Sequence, residues 1–274
     1  MQEIEIANLR RLTEVVKSTY NYDFTNYAMS SFKRRIGRVL DLFNFASVDA
    51  LISKIQTDRA FFETFVQEIT VNVTEMFRDP SFWRILREDI VPNLLLNHSS
   101  INIWHAGCSS GEEVYSMCIL LNEMGILDKS KIIATDLDKG ILERARAGRF
   151  KLKNMELNEK NYIRFQGTHS IKDYYTIRGD DVQMNPDLVR NVSWREHDLV
   201  NGPVFNKFDL VLCRNVMIYF NQNLQNEVLK KIHESMFKYG YLAIGNKESL
   251  IWCEIANKFI VVNNEEKIYK KIKE

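Results

Sequence analysis

Residues 104 to 115, Trp-His-Ala-Gly-Cys-Ser-Ser-Gly-Glu-Glu-Val-Tyr, constrain this chain more than any other stretch. Ile101 to Ala106 reads as a β-strand, and Val114, Met117, Cys118, Leu121 and Met124 recur on one face of a following helix. Gly107 to Gly111 therefore fall in a strand-to-helix turn at the carboxyl end of a β-element, where Rossmann-like sheets hold nucleotide-like cofactors.

The residues after the turn narrow the cofactor. A dinucleotide fingerprint reads G-x-G-x-x-G and seats a pyrophosphate on the helix N-terminus, where bare N–H groups and the dipole favour anions. Here Glu112 and Glu113 stand at that end. They would repel a phosphate and attract an ammonium or a sulfonium, by roughly a few kcal/mol at partly buried separations. S-adenosylmethionine offers both cations and no phosphate. Acids in a first helical turn also serve simply to complement the macrodipole, so a second signal matters. Lys131 to Thr135 reads as the next strand and ends at Asp136, where an acid in this fold class accepts hydrogen bonds from ribose hydroxyls. Asp138 competes for that role, although its place before the helical segment 139–147 suits an N-cap.

The texture of the chain divides near residue 95. Before it, helix follows helix: Leu9, Leu12 and Val16; Ile36, Val39, Leu40 and Phe43; Val48, Leu51, Ile52 and Ile55; Phe62, Phe65, Val66 and Ile69. After it, strands near 131–135, 192–195, 208–213 and 241–245 alternate with helices, the α/β signature. The expected organisation is an all-α N-terminal domain over 1–71, a linker over 72–95 and a Rossmann-like domain over 96–274. Runs at 259–262 and 267–271, split by Asn263-Asn264-Glu265-Glu266, predict a terminal hairpin that adds antiparallel strands to a mostly parallel sheet. Tyr162, Ile163 and Phe165, then Tyr174, Tyr175 and Ile177, read as short antiparallel strands of a β subdomain inserted around 160–190.

Composition excludes several classes. Thirty-seven basic and 36 acidic residues nearly cancel, which argues against a general nucleic-acid binder. No run approaches the roughly 18 apolar residues of a membrane span, and the N-terminus lacks the features of a signal peptide. Cys108, Cys118, Cys213 and Cys253 form no C-x-x-C pair, so no metal site and no disulfide framework is expected, and a reducing cytoplasm suits them. Local charge clusters once, at Lys33, Arg34, Arg35 and Arg38, where helical spacing sets the arginines opposite Ile36, Val39 and Leu40. A solvated face accounts for such a stripe as readily as a docking surface does.

Four segments together resemble one family. They are Asn72-Val73-Thr74-Glu75-Met76-Phe77-Arg78-Asp79-Pro80, Ala106 to Ser116, Ala134-Thr135-Asp136-Leu137-Asp138, and Cys213-Arg214-Asn215-Val216-Met217-Ile218-Tyr219-Phe220. In that order they resemble the CheR chemotaxis receptor methyltransferases, which esterify glutamate side chains on chemoreceptor signalling helices and use S-adenosylmethionine. The resemblance implies a class I methyltransferase sheet behind a small helical domain. It implies that Asn72, Thr74 and Arg78 approach the cofactor from the linker, that Ala106, Gly107 and Glu113 hold its methionine part, and that Asp136 takes the ribose. Asp198-Leu199 stands where the family has Asn-Leu beside the adenine, and an Asp there loses the amide donor. Arg214, Asn215 and Tyr219 fall at the carboxyl end of the 208–212 strand. The family's Gly-His-Ser-Glu stretch is Gly245-Asn246-Lys247-Glu248 here, and its helix-opening Pro is Val114.

The resemblance further implies that Arg34, Arg35 and Arg38 dock acidic chemoreceptor cytoplasmic helices and that S-adenosylhomocysteine is the product; a cytoplasmic location, from the cysteines, and a monomer are the further expectations. Some relatives grip a receptor's C-terminal pentapeptide with the β subdomain. A glutamate acceptor, with a reference pKa of about 4.3, is already ionised at neutral pH, so transfer needs alignment and exclusion of water but no general base. Arg78 and Tyr219 are the candidates for orienting it; a helix-end salt bridge and a core aromatic are their plainer readings. His105 and His197 have no metal-spaced partner and read as structural. An amino-methylating DNA enzyme would carry an Asp or Asn followed by two prolines and an aromatic, which Pro80, Pro92, Pro186 and Pro203, none adjacent, do not supply. A signalling protein that binds the cofactor but transfers weakly, or to another acceptor, is the alternative.

Overall fold

The computed structural model describes residues 4–70, 74–96 and 98–274. Helices α1 (Ile6–Tyr20), α2 (Met29–Leu42), α3 (Val48–Thr57) and α4 (Arg59–Ile69) each turn one apolar face inward. Those faces enclose a core of their own that includes Leu9, Leu12, Val16, Ile36, Val39, Leu51, Ile55, Phe65 and Ile69. Ser47 and Asp58 cap α3 and α4 by accepting the N–H groups of Ala50 and Phe61 at 3.2 and 2.9 Å.

The stretch expected to link the two halves is helical from Pro80 to Leu95. It comprises α5 (Pro80–Ile85), a π-turn over Leu86–Ile90 and α6 (Val91–Leu95). Its Phe82, Trp83, Leu86, Ile90, Val91 and Leu94 are buried in the core of the sheet that follows, so this stretch is part of that body and not a free connector.

That sheet begins with β1 (Ile101–Ala106), α7 (Glu112–Glu123), β2 (Ser130–Asp136) and α8 (Lys139–Ala147). Next come β3 (Arg149–Lys151), α9 (Leu152–Phe165), β4 (Tyr175–Arg178), β5 (Asp181–Met184), β6 (Val192–Glu196) and β7 (Phe208–Cys213). The chain ends with α10 (Gln222–Glu234), β8 (Met236–Ile244), β9 (Phe259–Asn263) and β10 (Ile268–Lys271). Seven strands lie in the order β6-β2-β1-β7-β8-β10-β9. Pairs from β6 across to β8 are parallel, and β10 runs antiparallel to both β8 and β9. This is the class I methyltransferase arrangement. Successive residues point to opposite faces: Ile103, Leu210 and Leu212 pack beneath α7, while Trp104, Val211 and Cys213 meet Leu224, Val228 and Ile232 of α10. The chain reverses order between β1 and β7, which places a switch point beside β1.

The inserted β subdomain differs from expectation. A three-stranded antiparallel sheet, β3-β5-β4, does form. Tyr162, Ile163 and Phe165 are not strand residues but the last turn of α9, whose buried positions Met155, Asn158, Tyr162 and Phe165 keep a helical period. Tertiary burial of that face overrides the β-preference of its aromatic residues.

Candidate active site

The carboxyl ends of β1, β2 and β7 open into a cleft of ≈ 250 Å³. Its wall includes Thr74, Arg78, Gly107, Glu113, Asp136, Asp198, Leu199, Arg214, Asn215 and Tyr219, all expected from sequence. Ala106 is buried behind the turn and does not line the cleft. Asn72 lies outside the described residues.

The glycine turn is shaped by contact. Gly107 has φ +78°, and a Cβ there would stand 2.7 Å from Cγ2 of Val216, so no other residue fits without displacing the β7 loop. Its N–H donates to the Thr135 carbonyl at 2.9 Å, and that of Ser109 donates to the Asp136 carboxylate at 2.8 Å. Asp136 also accepts the Asp138 N–H at 3.1 Å. Burial pushes the Asp136 carboxyl above its usual range, and these N–H groups pull it part of the way back. Asp138 caps α8 through the N–H groups of Gly140 and Ile141, leaving Asp136 as the acid in the cleft wall.

The two glutamates diverge. Glu113 faces the cleft, accepts from His105 Nδ1 at 2.8 Å and lies 3.5 Å from Arg214. Burial alone would raise its carboxyl, but His105 and the Arg214 charge outweigh that, and it sits below the usual carboxylate range. Glu112 turns away from the cleft, accepts the Ser110 hydroxyl at 2.6 Å and is pushed up to about 7 by burial. The expectation that both acids face the cofactor is therefore corrected to Glu113 alone. One helical step rotates the side chain by about 100°, which carries Glu112 off the cleft face.

Arg214 is nearly inaccessible. It pairs with Asp79 at 2.6 Å, stacks on the Phe82 ring at 3.9 Å and leaves its Nε buried with no partner among the described residues. Arg78 is held through its backbone, because Phe77 and Asp79 on either side adopt left-handed φ values of 52° and 55°. Asn158 and Asn161 of α9 fix the preceding turn: Asn158 Oδ1 accepts the Met76 N–H at 3.0 Å, and Asn161 donates to the Met76 carbonyl at 3.1 Å. Glu248 works from below. Buried, it accepts the N–H groups of Asn215 and Ile218, each at 3.1 Å, and that of Gly245, while Asn246 reaches Asp79 at 3.3 Å. The altered 245–248 stretch thus supports the β7 loop and does not line the cleft.

The helical half contributes more than the arginine stripe suggested. Tyr27, Ser31, Phe32 and Arg35 form one side of the cleft. Arg34 and Arg38 are exposed, and Arg38 lies 3.6 Å from Glu68. Arg35 leaves that stripe: half-buried, it donates to the Ile69 carbonyl and stacks over the Tyr219 ring at 4.7 Å. Burial raises the Tyr219 hydroxyl above its usual range against the opposing charges of Arg35 and Arg78, so it stays protonated. The two halves are stitched by a bridge between Tyr27 and Phe220, with Ala28 N–H donating to the Tyr219 carbonyl at 2.8 Å. His197 lines the cleft as well, edge-on to Phe205 at 4.8 Å, and His105 is the buried partner of Glu113; both hold neighbours in place. Tyr27 and Phe32 carry no polar signature that sequence could separate from ordinary core.

Comparison with known proteins agrees with this arrangement. Residues 72–268 match the CheR methyltransferase SAM-binding domain, and residues 7–70 match the CheR all-alpha domain. A Pseudomonas putida protein provisionally named methyltransferase Cher3 is 40% identical over 96% of each chain. A chemotaxis protein methyltransferase of Listeria innocua is 31% identical over 87% of this chain and 88% of its own. The chemotaxis protein methyltransferase 1 of Pseudomonas aeruginosa is 30% identical over 82% of each. The chain belongs to the CheR methyltransferase family, and it is a methyltransferase that uses S-adenosylmethionine.

Proposed function

We propose that this chain transfers a methyl group to glutamate side chains of chemoreceptor cytoplasmic helices, giving methyl esters. The observation that carries the reading is one cleft with two chemistries: the acids Glu113 and Asp136 on the β1 and β2 side, and the donors Arg35, Arg78 and Tyr219 on the other. S-adenosylmethionine supplies an electrophilic methyl on a sulfonium.

The residues present fit that group. Glu113 holds an ammonium, the free Nε of Arg214 suits a carboxylate, and Asp136 retains acceptor capacity for ribose hydroxyls. Thr74 and Asn215 line the same cleft, and His197, Asp198 and Leu199 offer an adenine wall. Asp198 accepts from Val200 N–H and Asn201, each at 2.8 Å, and like Asp136 keeps lone pairs free; with no amide donor, it can only accept from the amino group of the base.

Arg35, Arg78 and Tyr219 line the same cleft and together offer donors for one anion. Arg35 is fixed over Tyr219 and offers its remaining N–H groups, Arg78 is poised by its strained neighbours, and the protonated Tyr219 hydroxyl donates. A carboxylate so held needs no base, because it arrives ionised. The exposed Arg34 and Arg38 then steer an acidic helix toward the cleft.

Incubation with radiolabelled S-adenosylmethionine and receptor cytoplasmic fragments tests this. Base-labile label released as methanol is the expected outcome. Base-stable label would transfer the reading to a nitrogen or carbon acceptor.

A further inference from the structure

Beside the cleft, the loop after β8 carries two large apolar side chains into solvent: Ile251 is 71% exposed and Trp252 79%. Neither has a place in either core of the sheet, although Leu250 and Cys253 on each side are buried. The loop is not loose. Glu248 ties its start to Ile218, and Gln222 donates to the Trp252 carbonyl at 3.3 Å. Ile218, itself 40% exposed, lines the cleft.

The same segment is bound on its other flank by the start of α2. Asn221 N–H donates to the Asn26 carbonyl at 2.9 Å, and Ala28 N–H donates to the Tyr219 carbonyl. Residues 218–222 are thus gripped between the arginine-bearing helix and the Ile251-Trp252 loop. A ligand lying across Tyr219 meets cations on one side and apolar side chains on the other.

We propose that Ile218, Ile251 and Trp252 form an apolar rim that seats the hydrophobic face of an amphipathic acceptor helix, whose glutamates face Arg34, Arg35 and Arg38. The proposal rests on the glutamate-methylating reading above. Charge complementarity selects the occupant: a purely apolar partner would leave the arginines unused, and an extended acidic peptide would leave the rim bare. An exposed tryptophan that loses its water on docking is the usual energetic centre of such a surface.

The test uses the full chain, labelled S-adenosylmethionine and a folded receptor helical fragment, beside a short unstructured peptide carrying one glutamate. Trp252→Ala and Ile251→Ala should raise KM for the helical fragment at least about tenfold and leave kcat, cofactor affinity and turnover of the short peptide unchanged. Ile260→Ala, apolar and 47% exposed on β9, should leave every value at that of the parent. An unchanged KM for the fragment in Trp252→Ala would overturn the rim while methyl ester still forms. Absence of base-labile label in the parent chain would overturn the glutamate reading, and the rim with it.

Discussion

The guanidinium of Arg35 lies 4.7 Å above the ring of Tyr219, joining a helix of the N-terminal half to the loop that follows β7. The contact spans the two bodies of the chain and sits inside the cleft. It brings one member of the basic stripe into the cleft wall.

Arg35→Ala should therefore lower kcat/KM for the acceptor by roughly 100-fold while cofactor affinity by calorimetry changes little. Arg35→Lys keeps the charge but not the planar stack, and it should recover only part of the loss. Equal activity of the lysine variant would show that charge alone suffices.

Tyr219→Phe keeps the ring beneath Arg35 and removes the hydroxyl. The expected outcome is a fall in kcat of roughly 10- to 100-fold with KM near that of the parent, measured with saturating cofactor.

Glu112 and Glu113, adjacent in sequence, should respond oppositely. Glu113→Gln weakens cofactor binding. Its carboxyl is depressed in the fold, so its contribution to stability is present above the unfolded value near 4.5 and lost as pH falls through the lower folded value. Glu112 is raised to about 7, so the fold binds its proton more tightly than the unfolded chain does. Stability it supplies at low pH is lost as pH rises from about 4.5 toward 7. Glu112→Gln should leave cofactor affinity in place and raise the melting temperature at pH 8 relative to the parent, the gain vanishing near pH 4. Thermal melts from pH 8 down to about pH 3 check both signs, Glu112 between about 4.5 and 7 and Glu113 below about 4.5.

Gly107→Ala combines a left-handed backbone with a close approach to Val216. A loss on the order of 1–2 kcal/mol in stability is expected, with weakened cofactor binding. Pairing it with Val216→Ala should restore part of the binding, because the methyl clash is relieved while the backbone cost remains. No restoration would mean that the dihedral alone sets the penalty.

Asn158→Ala removes the side-chain oxygen that accepts the Met76 N–H. An orphaned buried donor costs about 1–3 kcal/mol, and here it would also loosen the turn that presents Arg78. Denaturant unfolding and turnover should fall together.

Much of this was legible before any coordinates. The inward positions of α1 to α4 follow from apolar spacing, because an isolated helix can bury only one stripe. The strands and the Gly107 turn follow from alternation and from the residue type that adopts positive φ most readily. The failures share a cause, which is direction. Arg34 and Arg35 are neighbours in one charged run, yet only Arg35 turns into the cleft, because the 27–28 backbone docks on the β7 loop. Glu112 and Glu113 likewise differ only in which way α7 starts. Tyr162 and Phe165 looked β-like because their helical partners, Asn158 and Asn161, are polar residues buried to hold Met76. Spacing reports faces; which face meets which neighbour is set by distant chain.

The backbone stitch between Ala28 and Tyr219 has a consequence for dissecting the molecule. Expressed separately, fragments 1–71 and 72–274 would each keep a hydrophobic interior, but neither would own a finished pocket: Arg35 would leave with the first piece and Tyr219 with the second. Activity should reappear on mixing only if the severed partners reform that seam, which makes complementation between the two pieces a direct gauge of its strength.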